Sequence, residues 1–193
     1  MGRTLAFDRS AALTNATRLF WKEGYVNTSL KQLLSSMKMG EGSFYNTFKS
    51  KKALYLECLH HYDEELMKER KAAFLSDRSP REQIYDFFEV VINDIDKGTE
   101  PGCLFSNSLS QEVLVDEDFN ELLLTEIDAM LNFLSQKIQK GIETGDIDSQ
   151  VDSKIAAKVI FTYLHGLFRL STYKFNAQKQ REETISFLDS VLK

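Results

Sequence analysis

The chain has 193 residues, 42% of them hydrophobic, with two prolines, nine glycines and a formal net charge of −5. That composition supports packed cores and excludes a disordered chain, and no run approaches the ~18 apolar residues of a membrane span. The charge is uneven: residues 1–52 hold nine Lys or Arg against three Asp or Glu, a net of +6, and the remainder nets −11, which points to a polyanion partner for the first segment and another task for the second.

The N-terminus lacks an apolar signal core and meets Asp8 early, which predicts a cytoplasmic protein. Ala12, Leu13, Ala16, Leu19 and Phe20 then form a helical stripe closed by Gly24. Thr28 or Ser29 caps a second helix, with Leu30, Leu33, Leu34 and Met37 at i, i+3, i+4, i+7. A break at Gly40-Glu41-Gly42 precedes a short third helix through Ser43, Phe44, Tyr45 and Phe48. Ser50 caps a fourth, with Tyr55, Cys58, Leu59, Tyr62 and Leu66 on one face. Ser79-Pro80 starts a helix carrying Ile84, Phe87, Phe88, Val91 and Ile95. Gly98 to Gly102 is a break around Pro101, and a helical segment is expected from near Cys103 to near Glu112. Asp116 or Asp118 opens a long helix through Leu123, Ile127, Leu131, Leu134 and Ile138, weakened at its end by Gly141 and Gly145. Asp152 caps a helix expected to bury Ile155, Val159, Tyr163 and Leu167, and Ile185, Leu188 and Leu192 mark the last. No strand alternation competes. The expected fold is all-α, with about nine helices.

Residues 28 to 48 have the plan of a helix-turn-helix: a seven-position stripe, a tight break, and a helix of barely two turns. Phe44 and Phe48, four apart, can plug the short helix into a core and leave Ser43, Tyr45, Asn46 and Thr47 outward. These are hydrogen-bonding residues, suited to base edges and phosphates. Gly40 and Gly42 lack a Cβ, so another helix or a phosphate can come close. Lys49, Lys51 and Lys52 lie where ammonium groups and free backbone N–H groups can hold phosphates. The plain alternative is an ordinary turn beside a solvated lysine face.

The ordered set Leu19-Phe20, Gly24-Tyr25, Thr28-Ser29, Gly42-Ser43-Phe44-Tyr45 and Phe48-Lys49-Ser50-Lys51 resembles the DNA-binding domain of the TetR family of bacterial regulators, over about residues 8 to 58. The resemblance implies an all-α homodimer: an N-terminal three-helix helix-turn-helix domain, residues 1–52, and a larger C-terminal ligand-binding and dimerisation domain, residues 53–193. It implies that Thr28 and Ser29 meet phosphate. It also puts Gly42, Tyr45, Asn46 and Thr47 on recognition positions, and Lys49 and Lys51 on phosphate-contacting ones. Three positions depart from the pattern: Lys38 where Gly is frequent, Gly40 where a capping Ser is, and Glu41 where Lys or Ser is. Glu41 either accepts a hydrogen bond from a cytosine amine or faces solvent and tempers affinity.

The acidic C-terminal part is rich in aromatics, among them Phe74, Phe87, Phe88, Phe105, Phe119, Phe133, Phe161, Tyr163, Phe168 and Tyr173. Some must fill a core; Phe87, Phe105 and Tyr163 are candidates to line a pocket with Cys103. Gly102-Cys103-Leu104 resembles a segment in a subgroup of these regulators, some of which sense electrophiles or oxidants through the cysteine. Cys103 in the first turn of a helix would have its thiolate favoured by the dipole, although a free Cys is more often a small buried hydrophobe. Cys58 reads as core. Leu164, Leu167, Phe168 and Leu188 on the last two helices offer apolar surface for an isologous four-helix bundle, with Gly166 permitting close approach; otherwise they close the subunit's own core.

No catalytic set appears, and His60 and His61, adjacent on a helix, diverge by about 100° and cannot share a metal. No enzyme activity, metal or cofactor is expected. The expected function is a ligand-responsive transcriptional repressor. It binds a double-stranded pseudopalindromic operator as a homodimer and is released by a small apolar or electrophilic effector. The alternative keeps the same DNA-binding output under an electrophile or redox sensor acting through Cys103.

Overall fold

Ten α-helices and no strand occur among the described residues, which are 8–98, 102–108, 116–173 and 175–193, less the side chains of Leu66 and Glu69. The structure is a computed structural model. Helix α1 (Arg9–Glu23) starts where the Asp8 carboxylate accepts the Ala11 N–H at 3.0 Å, and stops at Gly24, whose φ of +78° disfavours any side chain. Helix α2 (Leu30–Met37) opens on a capping box between Ser29 and Gln32. Lys38 closes it with φ 54°, a left-handed position where glycine is the usual residue. Helix α3 (Glu41–Phe48) follows at once. The Ser50 hydroxyl then accepts the Ala53 N–H and starts α4 (Lys51–His61).

The stripe expected to run from Ser50 to Leu66 is not one helix. Helix α4 ends at His61, a π-helical turn occupies Tyr62–Leu66, and α5 (Lys68–Ala72) and a 3-10 turn (Ala73–Leu75) follow. A π turn inserts an extra residue into the hydrogen-bond ladder and re-aims what comes next. Here Tyr62 stays fully buried while Arg70, only 3% exposed, reaches Asp94 at 2.9 Å.

Helix α6 (Pro80–Asp96) has proline in its first turn and a Ser79–Glu82 capping box. Helix α7 is Leu104–Ser108; the expected continuation to Glu112, and Pro101 before it, lie outside the described residues. Asp116, Asp152 and Asn176 cap α8 (Glu117–Thr144), α9 (Ser153–Leu170) and α10 (Ala177–Val191). Helix α1 packs on α2 and α4, while α8 packs on α9 and α6, and α10 on α6.

Gly141 costs α8 helix propensity but does not end it. The helix runs on to Thr144, and the missing side chain makes room for buried Ile147. A Cβ there would stand 2.6 Å from Ile147 Cδ1 and 2.8 Å from its Cγ1. Gly141→Ala gains roughly 1 kcal/mol of helix propensity but overpacks the core by about 1–3 kcal/mol. A net loss of about 1 kcal/mol is expected in urea unfolding, and a stabilised variant would show that Ile147 moves aside freely.

Of the α9 positions expected to be buried, Leu167 is, Tyr163 is half-buried, and Ile155 and Val159 are not. Ile155 is 64% and Val159 41% exposed, whereas Ala156, Ala157, Ile160, Leu164, Leu167 and Phe168 face inward. Four-residue steps overshoot a full turn by about 40° each, so a row of them winds off the buried face. Ile185 on α10 is likewise half exposed. Leu164, Leu167, Phe168 and Leu188 are at most 5% exposed within one subunit, which removes them as dimer surface. Gly166 has no atom within 4 Å of where a Cβ would stand, so it mediates no close approach within the subunit.

Candidate functional site

Phe44 and Phe48 are fully buried and fasten α3 to the N-terminal core. Their spacing turns Ser43, Tyr45 and Asn46 to solvent, with Thr47 half-buried. Tyr45 is 46% exposed, and its ring is held edge-on against Phe44 at 5.2 Å. Gly40 is the N-cap of α3 and Glu41 its first residue, both exposed. Nothing lies within 4 Å of a Cβ at Gly40 or Gly42, so neither glycine is there for helix packing within the chain. Ser29 is exposed at the start of α2. Thr28 is not available: it is 1% exposed and its hydroxyl donates to the Gly24 carbonyl at 2.7 Å, which tightens the turn rather than meeting a phosphate.

The lysines divide. Lys49 is exposed, with its Nζ donating to the Asn46 carbonyl at 3.0 Å. Lys51 lies half-buried, its Nζ 4.5 Å over the Tyr25 ring, and burial lowers its ammonium below the ordinary lysine value. Lys52 turns away from α3 to Asp116 at 2.8 Å and Asp118 at 2.6 Å, hydrogen bonds that raise its ammonium.

Beside that ion bridge, Tyr25 packs 4.8 Å from Tyr55 and 4.9 Å from Phe119. The Tyr55 hydroxyl pairs with Ser108, and burial pushes it up to about 12. Asn107 donates to the Trp21 carbonyl at 3.2 Å. Helices α1 and α4 are thereby joined to α7 and to the start of α8. Cys58 is fully buried here and its thiol is pushed up to about 12 by burial, consistent with a core residue.

A cavity of about 460 Å³ lies behind this joint, walled by apolar and aromatic side chains. Cys103, Phe87 and Phe105 line it, and so do Leu164 and Phe168. Tyr163 does not. Its ring stacks on Phe187 at 4.0 Å, its hydroxyl meets Thr184 at 2.9 Å, and it borders an outer groove with Ile155 and Val159. Cys103 precedes α7 rather than sitting in its first turn; its carbonyl accepts the Asn107 N–H at 2.9 Å. Polar wall residues that the sequence reading did not assign to the site are Tyr62, Asp63, Lys71, Glu126 and His165. The signal for Glu126 was present, since Leu123, Glu126, Ile127 and Met130 share one helical face and the carboxylate interrupts an apolar row. Burial, then the charge of Asp63, raises Glu126 above the ordinary carboxylate value. Lys71 is bound to Asp63 at 2.6 Å.

His165 faces Ser106, Nδ1 to Oγ 2.8 Å, and burial lowers it from its ordinary value of 6.5. Below about pH 6.5 the unfolded chain therefore takes up a proton that folded His165 resists, so stability falls as pH falls. In His165→Gln, the drop in melting temperature between about pH 7 and 5.5 should shrink; an unchanged drop would assign the pH dependence elsewhere.

Residues 12–58 match the family described as bacterial regulatory proteins, tetR family. Over 98% of each chain, the fold superposes with a TM-score of 0.82 and 27% identity on a cysteine mutant of the TetR family transcriptional regulator CifR complexed with 26-bp double-strand operator DNA. Residues 12–58 form a tetR-family DNA-binding segment. The transcriptional repressor ComR of Escherichia coli K12 is 33% identical over 109 residues, 55% of this chain and 52% of ComR, so the chain spans about half the length of that relative. The transcriptional repressor NemR of the same strain is 27% identical over 138 residues, covering 70% of this chain and 69% of NemR. The NemR reduced-form structure, 20% identical with a TM-score of 0.80 over 96% of each chain, shares the fold. The matched block ends at Cys58, inside α4, so the helix that packs on α1 also runs past the matched segment into the π turn at Tyr62. No helix among the described residues is long and apolar enough to cross a membrane.

Proposed function

We propose that the chain is a cytoplasmic, ligand-responsive transcriptional repressor that binds a pseudopalindromic operator as a homodimer. The observation that carries this reading is α3, pinned by Phe44 and Phe48 while Ser43, Tyr45 and Asn46 stay outward beside open backbone at Gly40 and Gly42. Residues 1–52 would supply the DNA-binding unit and residues 53–193 the effector and dimer unit, with α4 shared. Ser29 and Lys49 are the phosphate-contacting candidates, and Glu41 flanks the base-reading surface. The dimer face assigned to a second copy is the outer side of α9 and α10, where Ile155, Val159 and Ile185 are exposed beside half-buried Phe187. A small apolar effector in the cavity would press on Tyr62 at the end of α4 and change the spacing of the two α3 helices. Only an effector with unequal affinity for the two states can do so. The test is selection of bound duplexes from a random library at fixed, stated salt. A two-fold consensus is expected, and no enrichment even at low salt would end the repressor reading.

One observation favours a second reading. Cys103, 9% exposed, opens onto the cavity, so an electrophile held there could modify its sulfur and act through the same joint.

A further inference from the structure

Only two buried side-chain polar atoms among the described residues lack a hydrogen-bond partner, and one is the Tyr62 hydroxyl. A buried hydroxyl without a partner costs stability, so an uncompensated one is a candidate for use in another state of the molecule. Tyr62 is fully buried, in the cavity wall, with its hydroxyl beside the Cys103 sulfur and the Leu104 backbone but in no regular hydrogen bond to either. Arg70 stands close behind, almost fully buried, its guanidinium fixed by Asp94 at 2.9 Å and stacked 5.3 Å from the Phe168 ring. The remaining charged or titratable groups of the wall are Asp63, tied to Lys71, with Glu126 and His165.

A cysteine attacks as its thiolate, so a hydrogen-bond donor held beside the sulfur can assist the attack. We propose that Tyr62 is the positioning residue for Cys103: its free O–H donates to the Cys103 sulfur as that sulfur becomes anionic, with the Arg70 charge behind it. The substrate class is an α,β-unsaturated carbonyl compound whose apolar body fills the cavity. The thiol proton leaves to water. The thiolate forms a C–S bond to the β-carbon while the C=C π pair shifts onto the carbonyl oxygen, and water then protonates the α-carbon, giving a thioether without any oxidant. Tyr62 also touches the chain's one tryptophan, ring centroids 4.8 Å apart and edge-on, so a changed Tyr62 reaches α1 through Trp21.

The inference rests on the second reading above, and the test separates the two. N-ethylmaleimide is reacted with the reduced native chain, the modified cysteine is assigned by peptide mass, and the rate is followed against pH in wild type and Tyr62→Phe. Tyr62→Phe keeps the ring and removes a group with no partner, so its melting temperature should equal or exceed that of wild type. Its Cys103 rate near neutral pH should fall roughly tenfold, with the rate profile displaced to higher pH. The Trp21 emission change on modification should also shrink. If Cys103 reacts but Tyr62→Phe matches wild type in rate and profile, the sensing reading stands and the role of Tyr62 is overturned. If Tyr62→Phe loses stability, the hydroxyl has a structural partner and the proposal is overturned as well. If native Cys103 stays unmodified while the urea-unfolded chain reacts, the sensing reading falls and takes the proposal with it.

Discussion

Asp94→Ala is expected to cost about 3 kcal/mol, far more than loss of an exposed ion pair. The reason lies with its partner. Arg70 is 3% exposed, and besides Asp94 its guanidinium meets Met67 Sδ at 3.7 Å and the Phe168 ring. Removing the carboxylate leaves a cation in an apolar wall that a thioether and a ring cannot neutralise. Replacing both partners, Arg70→Met with Asp94→Leu, should recover most of the loss, because no buried charge then remains. Urea midpoints at constant m-value decide the matter. A loss under about 1 kcal/mol for Asp94→Ala would class the contact with ordinary surface pairs.

Asn46→Ala and Tyr45→Ala are each expected to weaken operator binding by roughly 10- to 100-fold, with the melting temperature of Asn46→Ala within about a degree of wild type. Asn46 points outward from α3, so its loss uncovers no core, whereas Tyr45→Ala also gives up the edge-on contact with Phe44, about 0.5–1.5 kcal/mol. For Asn46 the discrimination at one operator position should relax, since a carboxamide reads an adenine edge through two hydrogen bonds. Phe44→Ala is the contrasting control. It sits at 0% exposure and should lose about 3–5 kcal/mol, so its DNA binding fails through unfolding. Wild-type affinity in Asn46→Ala and Tyr45→Ala together would move the reading surface off α3.

Local chemistry was the most legible part of the sequence. Ser29, Ser50, Ser79-Pro80, Asp116 and Asp152 start helices because their side chains answer backbone N–H groups that no helix can satisfy internally. Phe44 and Phe48 had to be buried for so short a helix to hold. Tertiary choices were less legible. Helix α9 carries apolar residues on two faces, one for the cavity and core and one exposed, and periodicity does not rank them; Ile155 and Val159 were assigned to the wrong face. Thr28 looked like a cap until a neighbouring serine took that place and the Gly24 carbonyl took its hydroxyl. Tyr163 fits a pocket by composition, yet α10 lies against it. The π turn at Tyr62–Leu66 has no periodic signature, and it sets where the cavity wall begins.

The division among the basic residues changes how the chain should respond to its ionic surroundings. Of the nine cations in the first 52 residues, Arg9 is engaged by Glu57, Lys52 by Asp116 and Asp118, and Lys51 is turned over Tyr25. A cation already neutralised inside the protein displaces no condensed sodium or potassium ion when DNA arrives. The entropy gained from released counterions is therefore set by fewer charges than the composition suggests. Operator affinity should fall off with salt more gently than a nine-cation surface would dictate, and a larger share of it must come from the neutral contacts of α3.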